Sequence, residues 1–453
     1  MSGELRRSLG TWGGAALLVG TMIGGGIFRT PGPIAENLHD PRLVLLLWLF
    51  VGVISMCGAL TLAELATMLP QTGGTYVYLR AAYGDGAAFV FGWLYLLVAI
   101  PSGVAALAVV LGEQLLGANS AFIPVAASGM IVFLSIANIL GVKLGASIQV
   151  FFTVIKVIAL VGLILIAFLS GRGDAGRWVA APAGNLDWLG VMAAAQSVIF
   201  AYNGWVYVSL VSGEIRDPEK RLTPIILAGT GAATVLYLLA NLAYLFVMPL
   251  KDMEGKQLVA VDAMSLILGK AGGGVMRACI LCSVFGALNG IILAKARVAY
   301  ALARDGLTFS ILGKAHPTRA TPYVSILIQG AVSIVLVFAL NDPKNPGRLF
   351  NRLTTYFVVV EWLALLFAIA TVFVLRRKMA DAPRPYRTPA YPWVPLIFVV
   401  GTAVSLAVIV GYACRKNDYA PLVGLAIVIA GFPVYWIWRR CSRYNPMPKE
   451  EAP

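Results

Sequence analysis

Long apolar runs separated by short polar stretches dominate the chain. Twelve of them fall at about 12–38, 42–69, 86–117, 122–141, 146–170, 188–212, 223–250, 274–303, 322–340, 350–375, 392–413 and 420–438. Each approaches the ~20 residues that a helix needs to cross a bilayer, and those beyond about 25 must tilt or protrude. The pattern predicts an all-α polytopic membrane protein of twelve spans. Ten of these spans divide into two halves of five, residues 1–170 and 171–378. Residues 379–453 add two further helices and a C-terminal tail.

Two runs interrupt themselves near their middles. The first reads Gly20-Thr-Met-Ile-Gly24-Gly25-Gly26-Ile-Phe28, and the sixth reads Phe200-Ala-Tyr-Asn203-Gly204-Trp205. Three consecutive glycines forfeit roughly 3 kcal/mol of helix propensity relative to alanine. Broken backbone survives in a membrane only where protein or a water-filled cavity surrounds it. Gly20 and Gly24 also form a small-xxx-small pair that would suit plain helix packing. The breaks, however, occupy matching places in the two halves, which points to a transporter's binding site. Gly25 and Gly26 would offer unpaired N–H groups and a positive helix end to a carboxylate. Carbonyls near Phe200, Ala201 and Tyr202 would suit an ammonium. An α-amino acid carries both charges on one carbon.

Charge refines this picture. Only 12% of residues are charged and 59% are hydrophobic, against about a quarter and a half in soluble proteins. With the N-terminus inside the cell, Lys and Arg number 20 on inner segments and 13 on outer ones. The clusters Arg376-Arg377-Lys378 and Arg439, Arg440 and Arg443 also fall inside. Both termini are therefore expected to be cytoplasmic. The formal charge of +14 is read as this bias rather than as nucleic-acid binding. Trp436 and Trp438 sit where an interfacial belt would anchor the last span, and no cleavable signal peptide is evident. Cys279 and Cys282 form a CxxC inside an apolar run and read as packed thiols.

Lys156 lies about ten residues from either end of span 5, too deep to snorkel easily. It is expected to replace a sodium ion, tying span 5 to the broken span 1 and to span 8. Glu361 is equally central in span 10 and could face substrate, carry a proton, or pair with Lys156, Lys295 or Arg29. Glu64 and Glu113, nearer span ends, read as interfacial or structural. His39 and His316 both fall at loops, so no metal site, cofactor or catalytic set is expected, and no enzyme. A channel would need a filter or charged ring.

These residues together resemble the amino acid–polyamine–organocation superfamily, and within it the L-type amino acid transporter family. The resemblance rests on the span 1 and span 6 interruptions and on Ala63-Glu-Leu-Ala-Thr-Met-Leu-Pro-Gln-Thr-Gly-Gly-Thr-Tyr76. It rests also on Gly213-Glu-Ile-Arg-Asp-Pro-Glu-Lys220, Phe285-Gly-Ala-Leu-Asn-Gly290 and Arg384-Pro-Tyr-Arg-Thr388. It implies the leucine-transporter-like fold, a 5+5 inverted repeat plus two helices. It implies sodium-independent amino acid transport, commonly by exchange, in a multi-pass protein of the cell's inner (plasma) membrane.

In such proteins the substrate carboxylate meets the span 1 glycines, here Met22, Gly24, Gly25 and Gly26. The amino group meets the span 6 break, here Phe200, Ala201, Tyr202, Asn203 and Gly204, with Phe200 as the gate. A neutral amide at Asn203, where an acid accompanies cationic substrates, implies neutral L-amino acids. Glu361 in a pocket-lining position leaves open a cationic carrier, or a proton-coupled symporter using Glu361 or Lys156. Gly103 is small enough to enlarge the pocket. The loop Gly117-Ala-Asn-Ser-Ala121 has no cysteine, where animal relatives join a heavy chain by a disulfide. Besides the lipid bilayer and its substrate, the chain is therefore expected to need no such partner.

Overall fold

The computed structural model describes residues 5, 7–117, 120–180, 187–342, 349–415 and 420–441. Ala118 and Asn119 of the cysteine-free loop, and the tail with Arg443, lie outside them. The helices are α1 (Thr11–Met22), α2 (Gly26–Arg29), α3 (Pro31–Asn37), α4 (Pro41–Met68), α5 (Thr75–Tyr83), α6 (Asp85–Leu94) and α7 (Ile100–Leu116). Then come α8 (Ile123–Leu140), α9 (Val142–Leu169), α10 (Trp188–Ala201), α11 (Tyr207–Leu210), α12 (Pro218–Val247), α13 (Leu250–Met253) and α14 (Val259–Arg304). The series ends with α15 (Tyr323–Leu340), α16 (Leu349–Lys378), α17 (Trp393–Arg415) and α18 (Ala420–Cys441). Among the described residues the only extended pairing is a single bridge between Leu9 and Ile215.

Among the described residues, eleven helical stretches are long and apolar enough to cross a membrane. The twelfth expected span, the sixth, appears instead as the shorter apolar helix Trp188–Ala201, because the helix ends at Ala201 and residues 202–206 run as turns. Helix ends follow local chemistry. Asp40 accepts from the Arg42 N–H at 2.9 Å ahead of Pro41, whose missing N–H costs nothing in a first turn. Slight burial works against the ionised Asp40 carboxyl, but the Arg42 guanidinium and N–H outweigh it and hold it below the usual carboxylate range. The third span carries a π-turn at Tyr95–Ala99 just before Pro101, a feature that often accompanies functional sites.

The end of the bundle bearing the N-terminus is fastened by buried ion pairs. Glu214 and Arg297 meet in a two-toothed pair at 2.7 and 3.0 Å, each side chain 1% exposed. Beside it, Leu9 exchanges backbone hydrogen bonds with Glu214 and Arg216 at 2.9 Å. Glu64 takes Arg376 at 2.9 and 2.7 Å and the Thr388 N–H at 2.7 Å, with Arg384 at 3.3 Å. The conspicuous sequence motifs around Glu64, Glu214 and Arg384 thus serve as clasps. Of the two tryptophans expected at an interface, Trp436 is exposed, whereas Trp438 packs edge-on against Phe309 at 5.0 Å.

A buried charge deprived of its partner costs several kcal/mol, while removing both members of a pair is often neutral. Arg297→Met should therefore lower unfolding stability by about 3–5 kcal/mol. The double variant Arg297→Met/Glu214→Leu should regain most of it. Thermal unfolding of the purified chains in detergent measures both.

Candidate functional site

The two interruptions meet. In the first span helix ends at Met22, and Ile23 adopts φ −73° and ψ 72°. The Gly24 N–H closes a tight turn onto the Met22 carbonyl at 2.7 Å. Helix resumes at Gly26, and Thr30, itself helical at φ −72° and ψ −24°, joins α2 to α3. Arg29 and Thr30 donate back to the carbonyls of Gly25 and Gly26. The first N–H groups of this resumed helix therefore have no partner in the preceding turn and face the break. In the sixth span α10 ends at Ala201, and residues 202–206 run as turns before α11.

Glycine is what lets these breaks touch. A Cβ on Gly26 would stand 2.6 Å from Ala201 Cα, and one on Gly204 would stand 2.7 Å from the Met22 N. Gly204 also has φ +125°, a region that favours glycine. Thr21 Oγ1, whose nearest acceptor is the Leu17 carbonyl at 2.7 Å, stands 3.2 Å from the Gly204 carbonyl.

A cavity of about 30 Å³ lies at this junction. It is lined by Thr21, Met22, Gly24, Gly25, Gly26, Gly103, Leu107, Phe200, Ala201, Asn203, Tyr207, Ile291 and Phe357, none of them charged. A second, larger chamber of about 640 Å³ lies beyond Phe200, bordered by Arg29, Glu36, Gln196, Lys256, Phe350 and Thr355 among others. Phe200 borders both and stacks edge-on against Phe350 at 5.7 Å and Phe357 at 5.9 Å. Arg29, paired with Glu113, holds its guanidinium 4.1 Å above the Phe350 ring.

Eight of the eleven residues expected around the substrate line the small cavity: Met22, Gly24, Gly25, Gly26, Gly103, Phe200, Ala201 and Asn203. Tyr202, Gly204 and Glu361 stand outside it. Tyr202 is fully buried against Trp48 and Tyr237, at 5.7 and 5.1 Å between rings. Glu361 is fully buried too, bonded to Lys295 at 2.9 Å, which settles its partner among the three cations considered.

Two further expectations need correction. Gly103 does not widen the cavity, because Phe357 fills the space, 2.8 Å from where a Cβ would be. Nor are the span 6 carbonyls free. That of Phe200 accepts the Asn203 N–H at 3.2 Å, and that of Ala201 accepts the Tyr237 hydroxyl at 3.1 Å. Each keeps a second lone pair for a ligand.

Lys156 is fully buried on α9. Its Nζ donates to the Gly20 carbonyl and to the Ser283 carbonyl, both at 2.7 Å. Ser283 Oγ in turn donates to the Ile23 carbonyl at 3.0 Å. Lys156 therefore links α1, just before its break, to α14. Thr153 and Gln149 extend the same polar stripe, each donating to the Ala16 carbonyl. Their spacing, 149, 153 and 156, places all three on one helix face, a pattern visible in the sequence itself. Tyr237 shares its one hydroxyl proton between the Met22 carbonyl at 2.5 Å and the Ala201 carbonyl at 3.1 Å. It is one of five hydroxyl side chains along its span, with Thr223, Thr230, Thr234 and Tyr244, and nothing in the sequence singles it out.

Comparison with known proteins agrees with this architecture. The family model described as "Amino acid permease" matches residues 9–432. The serine/threonine exchanger SteT of Bacillus subtilis (strain 168) is 30% identical over 95% of this chain and 97% of its own length. The human b(0,+)-type amino acid transporter 1 is 28% identical over 96% of this chain and 88% of its own. The human cystine/glutamate transporter is 27% identical over 99% and 89%. A multi-pass helical chain whose first and sixth spans break against one another, and which matches transporters rather than enzymes along nearly its whole length, belongs to the amino acid permease family of the amino acid–polyamine–organocation superfamily.

Proposed function

We propose that the chain exchanges neutral L-amino acids across a cell's inner membrane by alternating access, without sodium. The observation that carries this reading is the uncharged cavity between the two broken helices, with Lys156 bonded beside it. The N–H groups of Gly25 and Gly26 hold the substrate carboxylate at the start of the resumed helix. The spare lone pairs of Phe200, Ala201 and Asn203 backbone carbonyls receive the ammonium. No charged side chain waits for the substrate side chain, and Glu361 is already neutralised by Lys295.

Lys156 supplies the fixed positive centre that a sodium ion would otherwise provide. Phe200 is the movable ring between the two chambers, since about 30 Å³ holds little more than a water. Substrate entry therefore requires this ring to turn. The two halves, residues 1–170 and 171–378, move as inverted repeats about the site, with both termini on the cytoplasmic side. The cysteine-free loop at 117–121 fits a carrier that works without a disulfide-linked heavy chain. The names of its relatives span serine/threonine exchange to cystine/glutamate transport, so size and polarity of the preferred side chain are set by this chain's own lining.

Exchange demands that bound substrate favour the crossing more than the empty site does. Radiolabelled serine, threonine or leucine should enter proteoliposomes preloaded with the same unlabelled amino acid about tenfold faster than empty ones. Replacing sodium by potassium should change nothing. Strong uptake into empty vesicles under an inward proton gradient would instead establish proton symport.

A further inference from the structure

Lys295 is bound within the protein as a ligand would be. Its Nζ lies 4.8 Å from the Phe357 ring centroid, 4.9 Å from that of Tyr207 and 5.2 Å from that of Tyr95. Glu361 Oε2 accepts from it at 2.9 Å, and both side chains are completely buried. An ammonium surrounded by aromatic faces and one carboxylate is how proteins recognise alkylammonium ligands. Three rings and a carboxylate are more than a lysine needs merely to be neutralised.

The cage adjoins the small cavity. Tyr207 and Phe357, two of its three rings, also line that cavity. Ile291, another lining residue, precedes Lys295 by one turn of α14, and Phe357 precedes Glu361 by one turn of α16. The cage also has unused capacity. Glu361 Oε1 is buried without a hydrogen-bond partner, and so is Asn203 Nδ2 at the cavity wall. Such atoms are costly to leave unpaired, and the spare carboxylate oxygen fits a second N–H of an ammonium.

We propose that Tyr95, Tyr207, Phe357 and Glu361 form an alkylammonium-binding subsite of the transport cavity, permanently filled by the chain's own Lys295, and that Lys295 thereby excludes cationic side chains. This rests on the central cavity being the amino acid site. Lysine and ornithine carry the same chain of methylenes ending in an ammonium. They meet an occupied seat and a like charge. With the tethered ammonium removed, the carboxylate and rings become a seat for the substrate's own.

The test compares wild-type protein, Lys295→Ala and the double variant Lys295→Ala/Glu361→Gln in proteoliposomes. In Lys295→Ala, L-lysine and L-ornithine should inhibit uptake of a labelled neutral amino acid at concentrations at least about tenfold lower than in wild type. In the double variant, which keeps the rings but lacks the carboxylate, inhibition should stay at the wild-type level. Free n-propylammonium, which replaces the atoms deleted in Lys295→Ala, should raise the melting temperature of that variant and of neither other protein. 1-Propanol should not.

A Lys295→Ala protein that takes up neutral amino acids with unchanged sensitivity to lysine and ornithine would overturn the proposal. If Lys295→Ala fails to assemble, it is expressed with n-propylammonium in the medium. Recovery supports the subsite, and failure to recover while the double variant assembles refutes it. Absence of any amino acid exchange in all three proteins would count against the transport reading instead, and the melting shifts would still report on the cage.

Discussion

Lys156→Met is expected to reduce exchange at least about a hundredfold while leaving the chain folded. Methionine has nearly the same length and suits an apolar surrounding, so packing along α9 should persist. What disappears is the pair of bonds at 2.7 Å to the carbonyls of Gly20 and Ser283. Bonds made by a charged group contribute roughly 1.5–3 kcal/mol each. Losing two is worth about a hundredfold or more in an equilibrium constant. The loss falls where α1 stops being helical, so the position of the Gly24–Gly26 turn loses its anchor to α14. Ser283, which holds Ile23 across the same gap, should show a smaller effect when changed to alanine. Initial exchange rates in proteoliposomes, alongside melting curves, separate the two influences. A Lys156→Met protein exchanging within a factor of about two of wild type would remove lysine from the mechanism.

Gly26→Ala should be equally damaging for a different reason. The added methyl would lie 2.6 Å from Ala201 Cα and 2.8 Å from Ala201 Cβ. The obstacle is main chain at the end of α10, so the two broken helices must separate. Overpacking of this kind costs about 1–3 kcal/mol. Here it also displaces the N–H groups proposed to receive the carboxylate, so substrate binding should become undetectable by ligand-induced stabilisation. Gly162→Ala serves as the control. It lies within α9 with nothing within 4 Å of its added methyl. It should be neutral or stabilising by up to about 1 kcal/mol. A Gly26→Ala protein that still binds would mean that the two interruptions need not touch.

Much of this site was legible before any coordinates. Glycine triplets and an Asn-Gly step within apolar runs have few physical uses in lipid, so the breaks at Gly24–Gly26 and Tyr202–Gly204 announced themselves. The depth of Lys156 did the same, and both of its expected neighbours, span 1 and span 8, are the ones it touches. Partnerships across long sequence separations were less visible. Glu361 had three cations within its class, and only the packing of α14 against α16 selects Lys295. Arg29 and Glu113 likewise read as separate charges although they pair. Gly103 suggested empty space because its own side chain is absent. The space belongs to Phe357, more than two hundred positions away in the chain, and local spacing carries no trace of that. Tyr237 is one of several hydroxyls in its run, beside Thr230, Thr234 and Tyr244, so the sequence does not single it out.

The step in volume at Phe200 has a pharmacological side. A head group small enough to reach the glycine turn meets a chamber of about 30 Å³, while anything trailing behind it remains in one of about 640 Å³. An amino acid elongated by a rigid aromatic tail would lodge across that ring like a cork in a bottle neck. It would jam the carrier from the chamber beside Arg29 and Phe350.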